Sequence, residues 1–348
     1  MIYRVCEPTI SRKEAVYVTD AIKRGEISGK GDYVERFERV FSRLVGKKHG
    51  IAVNSGSTAI LGALQAIGVG IGDEIICPTF TMAAPALAVQ LLGAQCIWVD
   101  CREDGNINPK LIEKKITHLT KAILVVHVYG IPVDKEVYRI ARKHGLYIIE
   151  DAAEAHGADV GHGDITCYSF YANKIITTGE GGMCLTNRKI LAEKLRRLRN
   201  YSQSDWYIHE EISLNYRLSS VLAAIGLAQC ELFHSFVKKR NLIATWYDKY
   251  LKHTKIELRN RPKGSVNWMY GILVDDRDRM MKRLEKQGIE SRPFFVPMHL
   301  QPFNKNWGSG DSYPVSERLS KRGLYLPSSS YLIEKDIKRI SQCVFKAT

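Results

Sequence analysis

The chain has 348 residues, of which 45% are hydrophobic, so it is long enough for a large core and for two domains. Its apolar stretches are too short, or too often interrupted by Gly and Pro, to cross a bilayer, and the N-terminal sequence MIYRVCEPTISRKE lacks the apolar segment of a secretion signal. The net charge is +14, but the basic residues are spread over segments such as EKLRRLRN and VKKRN, which are typical of solvated helix faces. An anionic small substrate is equally compatible with this charge. We expect neither a nucleic-acid partner nor a membrane.

The cysteines indicate a reducing environment. Eight of them are scattered without a C-x-x-C pair, and no histidine flanks them at zinc-finger spacing. Several lie inside apolar runs such as IICP and CYSF, where small buried thiols are typical. The sequence therefore predicts a cytoplasmic protein without a metal site.

The first half of the chain alternates strands and helices. Residues 32–45 have the apolar spacing of an amphipathic helix. The predicted strands that follow are HGIAV, DEIICP, AQCIWVD, KAILVVHV and LYIIED, and the predicted helices between them are STAILGALQAI, MAAPALAVQLLG, PKLIEKKI and DKEVYRIARKHG. This alternation predicts an α/β fold with a mostly parallel sheet covered on both faces.

The pattern changes after residue 160. DITCYSF and GGMCLTN are predicted strands, and a basic helix over 189–199 and an apolar helix over 219–233 follow them. Next come a predicted helix over 237–252, a strand near NWMYGILV, a helix in DRMMKRLEKQG and a last helix near 334–345. We therefore predict a large domain over residues 1–236 and a smaller α+β domain over residues 237–348.

Two polar segments fall at the carboxyl ends of predicted strands, where open α/β sheets bind ligands. In NSGSTAIL, Ser57 and Thr58 open a helix, which suits an anion site and equally an ordinary helix cap. In IIEDAAEAHGA, Asp151 and Glu154 follow an apolar strand. A carboxylate buried there needs a cationic partner such as a pyridinium nitrogen, although a capping box into a short helix fits equally well.

Lys174 lies between a predicted strand and the loop GEGG. Considered alone, it fits a solvated surface lysine. Pyridoxal phosphate chemistry, however, needs a lysine that forms a Schiff base, an acid opposite the ring nitrogen and a phosphate cup. All three signals occur here, so the sequence favours this chemistry, with Lys174 also moving the proton.

Several segments together resemble the DegT/DnrJ/EryC1/StrS family of sugar aminotransferases, a branch of the fold-type I, aspartate aminotransferase-like enzymes that use pyridoxal 5′-phosphate. They are SGSTA, PTFTMAAPA, EDAAEAHGA, SFYANKIITTGEGGM, LNYRLSSVLAAIGLAQ, ESRPFFVPMHLQPF and GLYLPSS. The NKIITTGEGGM segment is similar to the perosamine synthetase type. That type transfers the amino group of glutamate to C4 of a nucleotide-linked 4-keto-6-deoxyhexose, and the resemblance implies a 4-amino-4,6-dideoxy sugar product of the perosamine or viosamine type.

The resemblance implies a role for four residues around the cofactor ring. Lys174 should bind the cofactor as a Schiff base and act as the catalytic residue. Asp151 should pair with the ring nitrogen, Glu154 should contact the ring hydroxyl, and Phe80 should stack on the ring.

The resemblance also implies how the phosphate is held. Gly56, Ser57 and Thr58 should form the phosphate turn together with Ser169. Asn215 should reach the phosphate of the neighbouring subunit's cofactor, which makes the active unit a homodimer with shared sites.

Three residues match the family's substrate side more loosely, namely Arg217, His299 and Tyr313, and each fits a packing or surface role equally well. Two other functions remain open. A dehydratase on the same scaffold typically carries histidine where Lys174 stands, so the lysine favours transamination. A non-catalytic regulator is disfavoured by the presence of both Asp151 and Lys174.

Overall fold

A seven-stranded sheet forms the centre of the computed structural model, which describes residues 2–252, 254, 256–304 and 311–347. Its strands are β1 (His49–Val53), β2 (Glu74–Pro78), β3 (Gln95–Val99), β4 (Thr120–Val126), β5 (Tyr147–Asp151), β6 (Ile165–Ser169) and β7 (Gly182–Thr186). They lie in the order β1-β7-β6-β5-β4-β2-β3. Strand β7 is antiparallel to both of its neighbours, and the other six strands run in one direction. The predicted α/β fold with a mostly parallel sheet is confirmed.

Helices cover the sheet and surround it. In the first part of the chain they are α1 (Arg12–Lys23), α2 (Asp32–Leu44), α3 (Gly56–Ala66), α4 (Ala83–Leu91), α5 (Glu136–Lys143), α6 (Lys189–Leu198) and α7 (Ser220–Glu231). Side chains of β4 alternate between two apolar clusters: Ile123 and Val125 pack with α5, and Leu124 and Val126 face the main core. Because both clusters are buried, both faces of the sheet are covered, as its continuous apolar strands require.

The last part of the chain builds a second, antiparallel sheet. Its elements are α8 (Phe233–Leu251), β10 (Glu257–Leu258), β11 (Tyr270–Leu273), α9 (Arg277–Glu285), β12 (Arg292–Pro293), α10 (Pro314–Arg322), β13 (Gly323–Leu326) and α11 (Glu334–Ala347), with strand order β10-β11-β13-β12. The predicted boundary after residue 236 falls inside α8. The N-terminal end of this helix packs in the main core through Phe233 and Phe236, and Ile243 and Tyr247 pack in the second cluster.

Several local predictions need correction. The helix predicted over 109–116 is wrong, since two short 3₁₀ turns, Pro109–Leu111 and Glu113–Lys115, stand there instead. Helices α1 and α10 were not predicted. Neither was a small hairpin of β8 (Gln203–Asp205) and β9 (Ile208–His209).

Among the described residues, no single helix has the length and apolar composition needed to cross a membrane. Helices α7 and α8 meet the combined requirement of length and apolar composition only as a pair, and the pair is bent by 66°. All eight cysteines are free thiols.

Candidate active site

A cavity of about 500 Å³ opens beside the carboxyl ends of β5 and β6. Asp151 and Ser169, the last residues of these strands, line it together with the start of α3. Lys174 lines it from the loop after β6, and Arg292 lines it from β12 in the second sheet. The structure thus brings one lysine and two strand-end polar groups into one enclosed space, as expected for open α/β sheets.

The loop that carries Lys174 is held from several sides. The carbonyl of Asn173 accepts hydrogen bonds from Trp268 Nε1 (2.8 Å) and from Cys6 Sγ (3.0 Å). Lys174 Nζ lies 4.0 Å from the centre of the Trp268 ring, where the ring face attracts a cation. Burial lowers the pKa of the Lys174 amine, while the Glu154 and Asp151 carboxylates oppose that shift. A larger share of uncharged amine is what a nucleophile or base requires.

Glycine residues let this loop approach the phosphate turn. Gly179 has φ +85°, a conformation that L side chains rarely adopt. A Cβ atom on Gly182, at the start of β7, would stand 2.2 Å from the carbonyl oxygen of Ser55. The lysine loop and the start of α3 can therefore lie side by side only because Gly182 has no side chain.

Two buried carboxylates face Lys174. Asp151 Oδ1 accepts the Ala153 N–H at 3.0 Å, and burial raises the pKa of Asp151. Burial also raises the pKa of Glu154 to about 7, and the opposing charge of Lys174 only partly offsets it. Glu154 Oε2 accepts the Tyr129 N–H at 2.7 Å, which holds Tyr129 at φ 59°. The capping box considered for Asp151 and Glu154 is not formed, because β5 leads into turns rather than a helix.

The start of α3 provides free donors. The side chain of Ser55 caps the helix and bonds the Thr58 N–H at 3.1 Å. Within the described residues, the N–H groups of Gly56 and Ser57 and the Ser57 hydroxyl have no acceptor. A Cβ on Gly56 would stand 2.7 Å from Ser169 Cβ, so the glycine keeps the two sides of this pocket close. Such donors at a helix N-terminus suit a phosphate.

The structure places Thr58 differently from the prediction. Its hydroxyl bonds Asn54 Oδ1 at 2.7 Å and accepts the Ser55 N–H at 3.1 Å, and Thr58 does not line the cavity. The alternative helix-cap reading therefore describes Thr58, while Gly56 and Ser57 line the cavity.

The expected position of Phe80 also needs correction. Its side chain is fully buried among Tyr129, Phe294 and Phe295, behind the cavity wall and outside the lining. Met82, two residues later, lines the cavity and is 51% exposed. Strand β2 and the turn after it direct Phe80 into the core, whereas Met82 lines the cavity.

Asn215 and Arg217 do not line this cavity. They line a separate open cleft together with Lys30, Tyr201 and Trp206. In that cleft Asn215 Oδ1 accepts the Arg217 N–H at 3.0 Å, and the Arg217 guanidinium bonds the side chain of Asn200. Both residues therefore face away from the cofactor pocket of their own subunit.

His299 and Tyr313 likewise lie outside the cavity lining. His299 Nδ1 is 2.7 Å from Thr79 Oγ1, and Nε2 is 3.2 Å from Glu317 Oε1. The His299 and Tyr313 rings pack at 4.5 Å, and Tyr313 is buried. The packing role that was left open describes both residues better than direct substrate contact within this chain.

The cavity residues that the sequence did not predict include three from the C-terminal part of the chain: Trp268, Arg292 and Tyr325. Arg292 and Tyr325 are cross-strand partners in β12 and β13 and so project to one face of the second sheet. The signals that could have found Arg292 and Tyr325 are the segments ESRPFF and GLYLPSS, which carry the family resemblance but contain no residue type specific to one chemistry. Trp268 lies outside both segments.

Comparison with known proteins shows the family to which the chain belongs. The model of the DegT/DnrJ/EryC1/StrS aminotransferase family matches residues 8–345. The chain belongs to this family. It is 38% identical to GDP-perosamine synthase of Caulobacter vibrioides, covering 97% of this chain and 95% of that protein. Against GDP-perosamine synthase of Vibrio cholerae the identity is 35%, with 98% and 97% covered.

A solved structure agrees with the fold. The crystal structure of S. venezuelae DesV in complex with a ketimine intermediate superimposes with a TM-score of 0.92 at 33% identity, covering 96% of this chain and 94% of that chain. The protein is therefore a pyridoxal phosphate-dependent aminotransferase of the DegT/DnrJ/EryC1/StrS family.

The residues of the cavity fit this cofactor. Asp151 is a buried acid with no ion-pair partner among the described residues, and a protonated ring nitrogen would supply one. The free N–H groups at the start of α3 suit its phosphate, and Lys174 lies in the same cavity. Among the described residues, no three His, Cys, Asp or Glu side chains cluster as metal ligands.

Proposed function

We propose that this enzyme transfers the amino group of glutamate to C4 of a nucleotide-linked 4-keto-6-deoxyhexose, with GDP as the nucleotide. The product is a 4-amino-4,6-dideoxy sugar nucleotide. The observation that carries the proposal is the single cavity in which the lysine, two buried acids and a free helix N-terminus meet. The two GDP-perosamine synthases, similar over nearly their whole length, support the sugar and the nucleotide.

Each residue has a chemical task in this proposal. When bound, pyridoxal phosphate supplies an electron-accepting ring, so that a C–H bond beside the transferred nitrogen can break. The Lys174 amine, uncharged in larger share because burial lowers its pKa, would take that proton from the α-carbon of glutamate and pass it to the cofactor in the first half-reaction. In the second half-reaction it would carry a proton from the cofactor to C4 of the sugar. Asp151 would keep the ring nitrogen protonated, and Glu154 would contact the ring hydroxyl. The donors of Gly56 and Ser57, together with Ser169, hold the phosphate.

In this proposal Met82, rather than Phe80, contacts the face of the cofactor ring. Its thioether is soft and polarizable and favours contact with an aromatic ring. Met82 Sδ also accepts the Ala84 N–H at 3.0 Å, which fixes the side chain at the start of α4. A fixed thioether at the cavity wall suits a role as the ring-facing residue.

The active unit in this proposal is a homodimer in which Asn215 serves the partner's cofactor. The apolar composition of α7 does not itself support a dimer, because α7 is buried within its own subunit against α1 and α2. The support is a different segment. Apolar side chains just before Asn215 are exposed, including Trp206 (79%), Tyr207 (83%) and Ile212 (95%). A cluster of this kind marks a protein interface more often than free surface.

A cytoplasmic location completes the proposal. The eight free cysteines, most of them buried, are typical of a reducing compartment.

The test is a substrate panel. Enzyme loaded with pyridoxal phosphate is incubated with isotopically labelled glutamate and, separately, with GDP-, TDP- and UDP-linked 4-keto-6-deoxyhexoses. We expect the label in the GDP-sugar product, with NMR placing the amine at C4. Label only in the TDP- or UDP-linked product, an amine at a carbon other than C4, or no label in any product would contradict the proposal.

A further inference from the structure

The cavity offers few cations for its anionic substrates. Among the described residues, its charged lining consists of Asp151, Glu154, Glu180, Lys174 and Arg292. Three of these are acids, and Lys174 is committed to the cofactor. Arg292 is therefore the remaining cation that this chain presents to a substrate in the cavity.

Arg292 is held in place with part of its donor set unused. Its Nε and Nη2 donate to Glu290 Oε1 at 3.1 and 3.0 Å. The other Glu290 oxygen accepts the Val5 N–H at 3.0 Å, so the glutamate is itself fixed. Within the described part of the chain, Nη1 of Arg292 has no acceptor. The Arg292 side chain is half exposed, and an ion pair in such a setting is weak enough for the guanidinium to exchange partners.

We propose that Arg292 binds a carboxylate of the amino donor, an inference that rests on the proposed transfer from glutamate. A guanidinium presents planar paired donors that match a carboxylate. The α-carboxylate of an amino acid is attached to the reacting carbon, so it must enter the cavity together with the amine. The diphosphate of the sugar nucleotide is attached across the sugar ring from C4 and lies farther from Lys174.

Binding of the donor's carboxylate by Arg292 also explains how one cavity accepts two unlike substrates. The sugar is uncharged near its reacting carbon and needs no cation there. With the sugar bound, Arg292 can return its charge to Glu290, so no unpaired charge is left in the wall.

The test separates the two half-reactions and adds a binding measurement. Glutarate, a dicarboxylate without an amine, is titrated by calorimetry into the cofactor-loaded wild type and into Arg292→Gln and Arg292→Lys. The conversion of bound cofactor to its amine form by glutamate is followed by absorbance, and the reverse conversion by the sugar nucleotide is followed separately. Arg279→Gln, on the exposed face of α9, is the matched control.

We expect Arg292→Gln to weaken glutarate and glutamate binding by roughly ten- to a hundred-fold, the range for losing a hydrogen bond to a charged group. The affinity of Arg292→Lys for glutarate and glutamate should lie between that of the wild type and that of Arg292→Gln. The rate of the sugar half-reaction in both Arg292 variants should match wild type, and Arg279→Gln should match wild type in every measurement. Variants that bind glutarate like wild type, or that lose only the sugar half-reaction, would overturn the inference. A wild type that neither binds glutarate nor reacts with glutamate would overturn the donor assignment itself, and with it this inference.

Discussion

The central residue, Lys174, combines burial with two facing acids and an aromatic ring. Its amine lies 4.0 Å from the Trp268 ring and close enough to Glu154 and Asp151 for their charges to raise its pKa against the effect of burial. A surface lysine experiences none of these influences. These contacts place the Lys174 side chain in the cavity wall and favour the predicted Schiff-base lysine over the alternative of a solvated side chain.

Replacement of Lys174 by alanine should separate binding from chemistry. The phosphate turn and Asp151 remain, so Lys174→Ala should still bind pyridoxal phosphate, whereas turnover should fall by several orders of magnitude because the base and nucleophile are lost. Equilibrium dialysis and steady-state rates measure the two effects. Lys189→Ala, at an exposed position in α6, serves as the control. A variant with near-normal transamination would contradict the role of Lys174.

Glu154 should make the stability of the cofactor-free protein depend on pH. Its pKa is raised from 4.5 to about 7, so the folded state binds the proton more tightly than the unfolded state. The stability that this proton provides is present below pH 4.5 and is lost as the pH rises through about 7. Glu154→Gln retains an acceptor for the Tyr129 N–H but removes the charge.

Denaturant unfolding of the cofactor-free protein measures this effect. Glu154→Gln should stabilise it by up to about 3 kcal/mol at about pH 8 and by much less at about pH 5. Glu180→Gln, at an exposed position on the same cavity, should change little at either pH. Equal effects of Glu154→Gln on the free energy of unfolding at both pH values would contradict the raised pKa of Glu154.

At the scale of elements, the sequence pattern predicted the seven-stranded sheet well and the antiparallel second sheet poorly. Strands β1 to β7 were all found because each is a short, nearly continuous apolar run between turn residues. Strands β12 and β13 have two and four residues, and their pairing connects distant segments, so no local pattern marks them. Residues 109–116 carry helical spacing but begin with Pro109 and form only 3₁₀ turns.

The candidate site shows the same contrast between residues that the local sequence predicts and residues that it does not. Asp151 lies at the end of β5 and Ser57 at the start of α3, and Glu154 and Lys174 lie in the segments that follow β5 and β6. The direction of the strands brings all four to the same edge of the sheet. The side that Phe80 faces depends on how the turn after β2 packs against the second sheet. That contact is tertiary, and the sequence does not specify it locally.

Two helical glycines provide a prediction about packing. A Cβ on Gly226 of α7 would stand 2.6 Å from Phe37 Cζ and 2.7 Å from the Thr178 methyl group in the lysine loop. A Cβ on Gly62 of α3 would meet Leu195 Cδ2 at 3.7 Å, an ordinary contact. Alanine is a better helix former than glycine by about 1 kcal/mol, whereas overpacking costs roughly 1–3 kcal/mol.

Gly226→Ala should therefore destabilise the protein by up to about 2 kcal/mol, and Gly62→Ala should leave it unchanged or stabilise it by up to about 1 kcal/mol. Chemical denaturation of the two variants checks the opposite signs. If Gly226→Ala, like Gly62→Ala, left the free energy of unfolding unchanged or increased it, the close contacts around Gly226 would relax without cost.

At the scale of the whole molecule, the cofactor pocket is incomplete without a second subunit in our proposal. Asn215 faces a cleft of its own subunit that is separate from the cavity, beside the exposed apolar segment around Trp206 and Tyr207. Two-fold symmetry would give two equivalent sites, each formed by both chains.

Subunit mixing tests this arrangement. Lys174→Ala and Asn215→Ala chains should each be poorly active alone. In a mixed dimer one site carries both lesions and the other carries neither, so activity should return toward about half of wild type per mixed dimer. No recovery, with mixed dimers shown to form, would place Asn215 in its own subunit's site or outside any site.

Reductive trapping tests the central claim, that Lys174 in this cavity holds the cofactor, most directly. The yellow, cofactor-loaded enzyme is treated with borohydride, digested and analysed by mass spectrometry. We predict that the reduced cofactor is attached to Lys174, in the peptide that contains YANKIITTGEGGM, and that Lys174→Ala yields no attached cofactor. Attachment to a different lysine, or an unlabelled Lys174 in enzyme that transaminates, would contradict the account.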